Sequence, residues 1–128
     1  MGQVLNIAHR GASADAPENT LPAFEAALAA GADALELDVH LAADGAIVVI
    51  HDITLARTTS GRGFVGRHTL ADLKRLDAGS WFGARFAGTA IPTLEEVVTL
   101  ARGRARLFVE LKAGSDFYPG IEGAVVRR

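Results

Sequence analysis

Short apolar runs alternate with helical patterns along the first half of the chain. Val4–Ala8 is an apolar run of strand length that ends at the turn-forming residues His9-Arg10-Gly11. Asn19 or Thr20 then stands where a helix N-cap is expected, and Gly31 stands where a helix is expected to end. Between them, apolar residues recur at helical spacing, at Leu21, Phe24, Ala27 and Leu28. This pattern predicts a strand followed by a helix.

The next stretch, residues 34–52, reads ALELDVHLAADGAIVVIHD and is the centre of the pattern. Because alternate side chains of a strand share a face, Leu35, Leu37 and Val39 are expected on one side of it. Glu36 and Asp38 then point together to the other side. Two carboxylates on one face repel each other unless a cation joins them, although an exposed polar strand face is the simpler alternative. Asp44-Gly45 predicts a tight turn before a second apolar run, Ile47–Ile50.

The regular rhythm breaks between Ile53 and Ile91 and then resumes. Residues 58–66 contain three glycines and predict a loop, and 69–76 predict a short helix capped by Thr69. Trp81, among further aromatics, is expected to pack locally rather than to contact a substrate. Thr93 and Glu96 have the spacing of a capping box for a second clear helix. Two further elements complete the pattern, a strand at Leu107–Leu111 and the start of a helix at Ile121. Strands that alternate with helices predict an α/β fold with parallel strands.

Length and composition narrow the class of protein. The chain has 128 residues, 49% of them hydrophobic, and a formal net charge of -2, which predicts one domain over 1–128 and no electrostatic nucleic-acid binder. With no cysteine there is no disulfide, thiolate metal site or cysteine nucleophile. The longest apolar runs are too short to span a bilayer, and no secretory signal is visible. A cytoplasmic protein without membrane insertion is the expectation.

Polar side chains collect at the carboxyl ends of the apolar runs, where the active sites of βα proteins lie. Three oxygen donors, Glu36, Asp38 and Glu110, suit a hard cation such as Mg²⁺ or Ca²⁺. Positive side chains suited to a phosphate and histidines suited to acid–base chemistry complete the set: Arg10 and Lys112, His9 and His51. Together they suit cleavage of a phosphodiester. Taken singly, each has a structural alternative: His51-Asp52 as a hydrogen-bonded loop pair, Glu110 and Lys112 as mutual neutralisation, and His40 and His68 as structural or exposed.

These residues fall in motifs that resemble the glycerophosphodiester phosphodiesterase family. The motifs are HRG (9–11), PENT (17–20), ELDVHLAADGAIVVIHD (36–52), TLARTTSGRG (54–63), IPTLEEV (91–97) and VELK (109–112). The resemblance implies a TIM-type (βα) barrel that hydrolyses glycerophosphodiesters to glycerol 3-phosphate and an alcohol. It also implies an attack by the substrate's own glycerol hydroxyl, which gives a cyclic phosphate that is then hydrolysed.

The resemblance implies a role for each candidate residue. His9 and His51 are the acid–base pair, and which of them is the acid and which the base stays open. Arg10 and Lys112 contact the phosphate, and the divalent cation is held by three carboxylates, Glu36, Asp38 and Glu110. Residues of about 53–91 correspond to the family's insertion lobe. Two alternatives stay open: a sphingomyelinase- or phosphoinositide-type phospholipase of the same architecture, and a catalytically silent fragment that binds metal or self-assembles.

Chain length departs from this resemblance. A complete barrel of this type takes about 250 residues, whereas this sequence holds the first three barrel strands plus the insertion lobe. A truncation, a fragment of a longer protein and a half-barrel completed by association are all compatible with it. Because open strand edges pair readily with other chains, a chain of only these residues is expected to be a homo-oligomer with weak or absent activity. The alcohol released, the cation and the oligomeric state are not specified by the sequence.

Overall fold

Four strands form one mixed sheet in the computed structural model, which describes residues 4–111 of the chain. The strands are β1 (Ile7–His9), β2 (Ala34–Leu41), β3 (Ile47–Val49) and β4 (Arg106–Leu111). The helices are α1 (Leu21–Ala29), α2 (Leu70–Lys74) and α3 (Leu94–Ala101), with 3₁₀ turns at Val65–Arg67 and Ala84–Phe86. This alternation of strands and helices confirms the predicted α/β class. Lys112 and the helix predicted from Ile121 lie outside the described residues.

β2 is the central strand, and its neighbours occupy both of its edges. β1 and β4 pair with it in parallel, with His9 opposite Glu36 and Glu110 opposite Asp38. β3 pairs antiparallel with the last residues of β2, beyond the point where β1 ends. The backbone N–H groups of Arg10 and Ile50 donate to the carbonyls of Glu36 and Asp38, respectively, so β3 continues the edge that β1 leaves. The hairpin formed by β2 and β3 therefore extends the sheet beyond the end of β1.

The helices cover one face of the sheet, as the alternation in β2 predicts. Leu35, Leu37 and Val39 are fully buried and pack with α1 and α3 in the first of two hydrophobic clusters. Fully burying one such side chain stabilises the fold by about 1.5–3 kcal/mol, so this face anchors β2. The helix side of the core is built from Phe24, Ala27, Leu94, Val97 and Ala101.

A second cluster lies under the segment between the hairpin and α3. Leu55, Val65, Leu73 and Ile91 are buried there against Val48 and Ile50 of the hairpin, so the long segment without regular rhythm has its own apolar core. Trp81 is 42% exposed, donates from its indole N–H to the Ala78 carbonyl and meets Phe82 edge to face.

Helix boundaries agree with the sequence prediction at three caps and differ at one. Thr69 accepts from the Asp72 N–H, and Thr93 and Glu96 form a complete capping box. Gly31 has φ of +88°, as the residue that follows a helix commonly does. Thr20 stands at the N-cap of α1 without capping it. Its hydroxyl donates instead to the Pro17 carbonyl, because the tight turn before the helix brings that oxygen within 2.6 Å.

The first strand is shorter than its apolar run. Val4 and Leu5 are 92% and 43% exposed, and strand pairing begins only at Ile7. Residues of an apolar run join a strand only where a neighbour offers backbone partners, and β2 begins to do so at Ala34.

Within residues 4–111, no helix combines the length and apolar character needed to cross a membrane.

Candidate active site

Three carboxylates meet on the sheet face opposite the helices. Glu36 and Asp38 alternate along β2, and the register of the parallel pair sets Glu110 of β4 beside Asp38. One oxygen from each lies within 4.8 Å of the others. Burial raises the pKa of Glu36, and the charges of Asp38 and then Glu110 raise it further, against the opposing effect of His9. Desolvation and neighbouring negative charge thus both disfavour the ionised form of Glu36.

The carboxylate group has the donor chemistry of a divalent-cation site. Oxygen ligands alone suit a hard cation such as Mg²⁺ or Ca²⁺. The Oε1 atom of Glu36 is buried and accepts no hydrogen bond from the described residues. A buried carboxylate oxygen without a donor is costly, and a cation would satisfy it. The residues present therefore fit a divalent cation.

His9 and Arg10 reach the carboxylates from the end of β1. The Nε2 atom of His9 lies 3.0 Å from Oε2 of Glu36, while 66% of the His9 side chain is exposed. Arg10 Nε lies 3.6 Å from Oδ2 of Asp38. Arg10 is half-buried and positively charged, so its side chain can contact an anionic group that approaches the carboxylates.

The turn that positions Arg10 has a demanding backbone. Arg10, Gly11 and Asn19 have φ of +59°, +80° and +58°, a region that side chains other than glycine seldom adopt. Gly11 also packs against α1 so closely that a Cβ atom would lie 2.7 Å from the carbonyl carbon of Ala23. Asn19 is buried and donates from Nδ2 to Asp38 Oδ2 at 3.0 Å. Such non-glycine conformations persist only where surrounding contacts hold them.

His51 follows the hairpin and is held at both its ring and its backbone. Its Nδ1 atom lies 2.8 Å from Oδ1 of Asp52, and its carbonyl lies 3.0 Å from Nε2 of His40. Hydrogen bonds from Arg57 are the main cause that lowers the pKa of Asp52 to about 2; burial opposes this shift and His51 adds to it. An ionised Asp52 accepts from an Nδ1–H, which leaves Nε2 of His51 outside this hydrogen bond.

Arg57 joins two carboxylates that are far apart in the chain. It donates to both oxygens of Asp52, at 2.8 and 3.0 Å, and to both oxygens of Glu18, at 3.0 and 2.8 Å. Glu18 in turn lies 3.3 Å from Arg10. Burial opposes ionisation of Glu18, but hydrogen bonding and charge from Arg57, with help from Arg10, outweigh it and lower the pKa of Glu18.

The structure groups most of the predicted site residues and adds others. Five of them form one group of contacts on the sheet face: His9, Arg10, Glu36, Asp38 and Glu110. His51 connects to that group through Asp52, Arg57 and Glu18. Sequence reasoning missed three contributors, Glu18, Asn19 and Arg57, and it named His40 as structural or exposed; His40 is buried and contacts the His51 carbonyl. The available signal was that Glu18, Asn19 and Arg57 fall inside the quoted motifs, but none of them follows a strand directly.

Solved structures of other proteins share this fold. The chain superposes on a glycerophosphodiester phosphodiesterase from Agrobacterium tumefaciens with a TM-score of 0.89 and 46% identity, covering 98% of this chain and 53% of that one. It also matches an Oleispira antarctica phosphodiesterase in complex with the product sn-glycerol-3-phosphate, with a TM-score of 0.82 and 44% identity. That match covers 85% of this chain and 44% of the other. The chain therefore shares its α/β fold with solved phosphodiesterases.

Sequence comparison identifies the family. The profile of the Glycerophosphoryl diester phosphodiesterase family matches residues 9–115. A glycerophosphodiester phosphodiesterase of Caldanaerobacter subterraneus is 52% identical over 126 residues, which cover 98% of this chain and 52% of the relative. One of Bacillus subtilis is 43% identical over 132 residues, 97% of this chain and 45% of the relative. The chain belongs to the glycerophosphoryl diester phosphodiesterase family, and it spans about half the length of these curated relatives.

Proposed function

We propose that the whole protein hydrolyses glycerophosphodiesters to glycerol 3-phosphate and an alcohol. The observation that carries this proposal is the carboxylate group of Glu36, Asp38 and Glu110 with Arg10 and His9 directly beside it. Negative, positive and titratable groups in contact are what phosphodiester cleavage needs. The Oleispira relative, solved with sn-glycerol-3-phosphate as its product, supports the same substrate class.

In the proposed first step the substrate's own glycerol hydroxyl attacks phosphorus. His9 accepts the proton of that hydroxyl as the new P–O bond forms, and the bond to the leaving alcohol breaks. His51 donates a proton from Nε2 to the departing oxygen, while Asp52 holds its Nδ1–H. Water then opens the cyclic phosphate with the two histidines in reversed roles, which returns each to its starting protonation state.

The other charged side chains bind and orient the substrate. Arg10, held by Glu18, would contact a phosphate oxygen. Lys112 would do the same. Glu36, Asp38 and Glu110 would hold a divalent cation, either Mg²⁺ or Ca²⁺. When bound, such a cation supplies charge stabilisation for the phosphate oxygens.

We also propose that residues 4–111 hold the first three strands of a TIM-type barrel, with the two helices that connect them. β1, β2 and β4 are adjacent and parallel, and α1 and α3 connect them on one face, as in successive units of such a barrel. The superposition with the Agrobacterium protein over 53% of its length supports this assignment. The segment of about 53–91 is the proposed insertion lobe. A single domain over 1–128 and a cytoplasmic location stay predictions from the sequence.

The test is release of glycerol 3-phosphate from glycerophosphocholine by the whole protein, with Mg²⁺ or Ca²⁺ present. His9→Ala and His51→Ala should each lower the rate by about 10²–10⁴-fold. His68→Ala is the matched control, because His68 bonds to the Phe64 carbonyl in the segment between the hairpin and α3. No product from the wild type, or undiminished rates in both histidine variants, would refute the proposal.

A second substrate tests the attacking group. A diester that lacks the free glycerol hydroxyl should react poorly, because it cannot form the cyclic phosphate. Equal rates on this analogue and on glycerophosphocholine would show that water attacks directly. The hydrolase assignment would then stand, but the two-step route through a cyclic phosphate would not.

A further inference from the structure

We infer that Arg57 is a positioning residue of this site, and that it holds His51 and Arg10 through two carboxylates. The catalytic consequence rests on the proposed function, in which His51 and Arg10 act on the substrate. Arg57 itself is joined to them only through Asp52 and Glu18. Its role would therefore be to fix the geometry of groups that act, rather than to act on the substrate.

The first arm of this arrangement runs from Arg57 to the ring of His51. Both Asp52 oxygens accept from the guanidinium, at 2.8 and 3.0 Å, so the carboxylate plane cannot turn without breaking a bond. One of these oxygens also lies 2.8 Å from Nδ1 of His51. A carboxylate held in this way accepts a proton-bearing Nδ1 and favours one tautomer of the neutral ring. The Nε2 atom of His51 is then left for exchange of protons with a substrate.

The second arm runs from Arg57 to Arg10. Both Glu18 oxygens accept from the guanidinium, at 3.0 and 2.8 Å, and the same carboxylate lies 3.3 Å from Arg10. The Glu18 side chain is only 10% exposed, whereas the Arg57 side chain is 45% exposed, so the carboxylate is shielded from solvent and the guanidinium is partly open to it. Arg10 has φ of +59°, a conformation that needs support from its neighbours. The Arg10 backbone is held by hydrogen bonds with Glu36 and Asn19, and Glu18, fixed by Arg57, holds the Arg10 side chain.

The two arms join three separate parts of the chain. Glu18 lies in the turn before α1, Asp52 follows the hairpin, and Arg57 begins the segment that leads to α2. The planar guanidinium can form bidentate hydrogen bonds with two carboxylates at once, which the single ammonium group of a lysine cannot do. One side chain thus sets the relative position of the turn that carries Arg10 and the loop that carries His51.

Two readouts test this role in the purified protein with Mg²⁺ present. The first is the ¹⁵N NMR signature of the neutral His51 ring at alkaline pH, which distinguishes Nδ1–H from Nε2–H. The wild type should show Nδ1–H, and Arg57→Ala and Asp52→Ala should both lose that preference. The second is steady-state hydrolysis of glycerophosphocholine, in which Arg57→Ala should lower kcat by about 10–100-fold, by analogy with the loss of partners that orient histidines at metal sites.

Matched variants separate positioning from simple charge or stability effects. Arg57→Lys should recover only part of the activity, whereas added guanidinium ion should partly rescue Arg57→Ala. Arg104→Ala is the control, since Arg104 is comparably exposed and forms an ordinary ion pair with Glu25. It should leave both readouts unchanged. Arg57→Lys also keeps the test valid if the alanine variant does not fold.

The outcomes distinguish this inference from the proposed function. If the wild type releases no glycerol 3-phosphate, the proposed function fails, while the tautomer measurement still decides whether Arg57 orders His51. If the wild type is active but Arg57→Ala and Arg57→Lys match Arg104→Ala in both tautomer and kcat, the positioning role is overturned. Full activity in Arg57→Lys with an unchanged His51 tautomer would also overturn it.

Discussion

Binding of a divalent cation should stabilise the folded protein, and Asp38→Asn should abolish that effect. Asp38 is the most buried of the three carboxylates, at 1% exposure, and it contacts Arg10 and Asn19. Asparagine keeps the size of the side chain and an oxygen that accepts from Asn19, but it removes the charge. The substitution therefore tests the cation site with little change in packing.

The magnitude follows from the separation of the carboxylates. Two unit charges at the outer limit of this cluster, 4.8 Å, repel by about 3.5 kcal/mol at an effective dielectric constant of about 20, and less for the exposed Glu110. A cation removes this repulsion. At a concentration a hundredfold above its Kd, a ligand specific to the folded state stabilises it by about 2.7 kcal/mol. For a chain of this size, that corresponds to a rise in Tm of about 10 °C.

The assay is thermal unfolding of the wild type and of Asp38→Asn in EDTA, Mg²⁺ and Ca²⁺. Glu25→Ala is the matched control, because Glu25 is an exposed carboxylate of α1 that pairs with Arg104. The control should keep the cation-dependent rise in Tm. An unchanged wild-type Tm at millimolar concentrations of both cations would refute the ligand assignment, as would a full rise in Asp38→Asn.

Three further expectations follow from the fold. Gly11→Ala should lower the free energy of unfolding by about 3 kcal/mol in urea titrations, since a Cβ would meet α1 at 2.7 Å. Gly45→Ala, with positive φ but open space around it, should cost only about 1 kcal/mol, and equal losses would contradict the packing argument. The lowered pKa of Asp52 should contribute about 1 kcal/mol to the free energy of unfolding after screening. This contribution is present above pH 3.8 and is lost as the pH falls towards 2. Asp52→Asn should flatten the acid limb of the curve of stability against pH, and an unchanged limb would argue against the Arg57 contacts. Within the described residues, β4 pairs only with β2, and the apolar Ile7 and Phe108 are 46% and 45% exposed. The purified 128-residue chain should therefore be at least dimeric by light scattering. A stable monomer would contradict this expectation.

Local patterns in the sequence were sufficient to predict the elements and the core face of the central strand. Alternation along β2 separates Leu35 and Leu37 from Glu36 because strand geometry has a period of two residues. The capping box at Thr93 is equally local, since its partners are three residues apart. The carboxyl ends of parallel strands share one edge of a sheet, so even the meeting of Glu36 with Glu110 follows from the predicted strand order.

Tertiary structure decided the contacts that connect these elements. Arg57 meets Glu18 across 39 positions of the chain, and no periodicity carries information about such a pair. The fully buried His40 and the Thr20 hydroxyl directed to Pro17 also depend on how separate segments pack. Spacing along the chain predicts which face a side chain occupies. Which partner it contacts there depends on long-range packing, and this packing determines which side chains meet in the candidate active site.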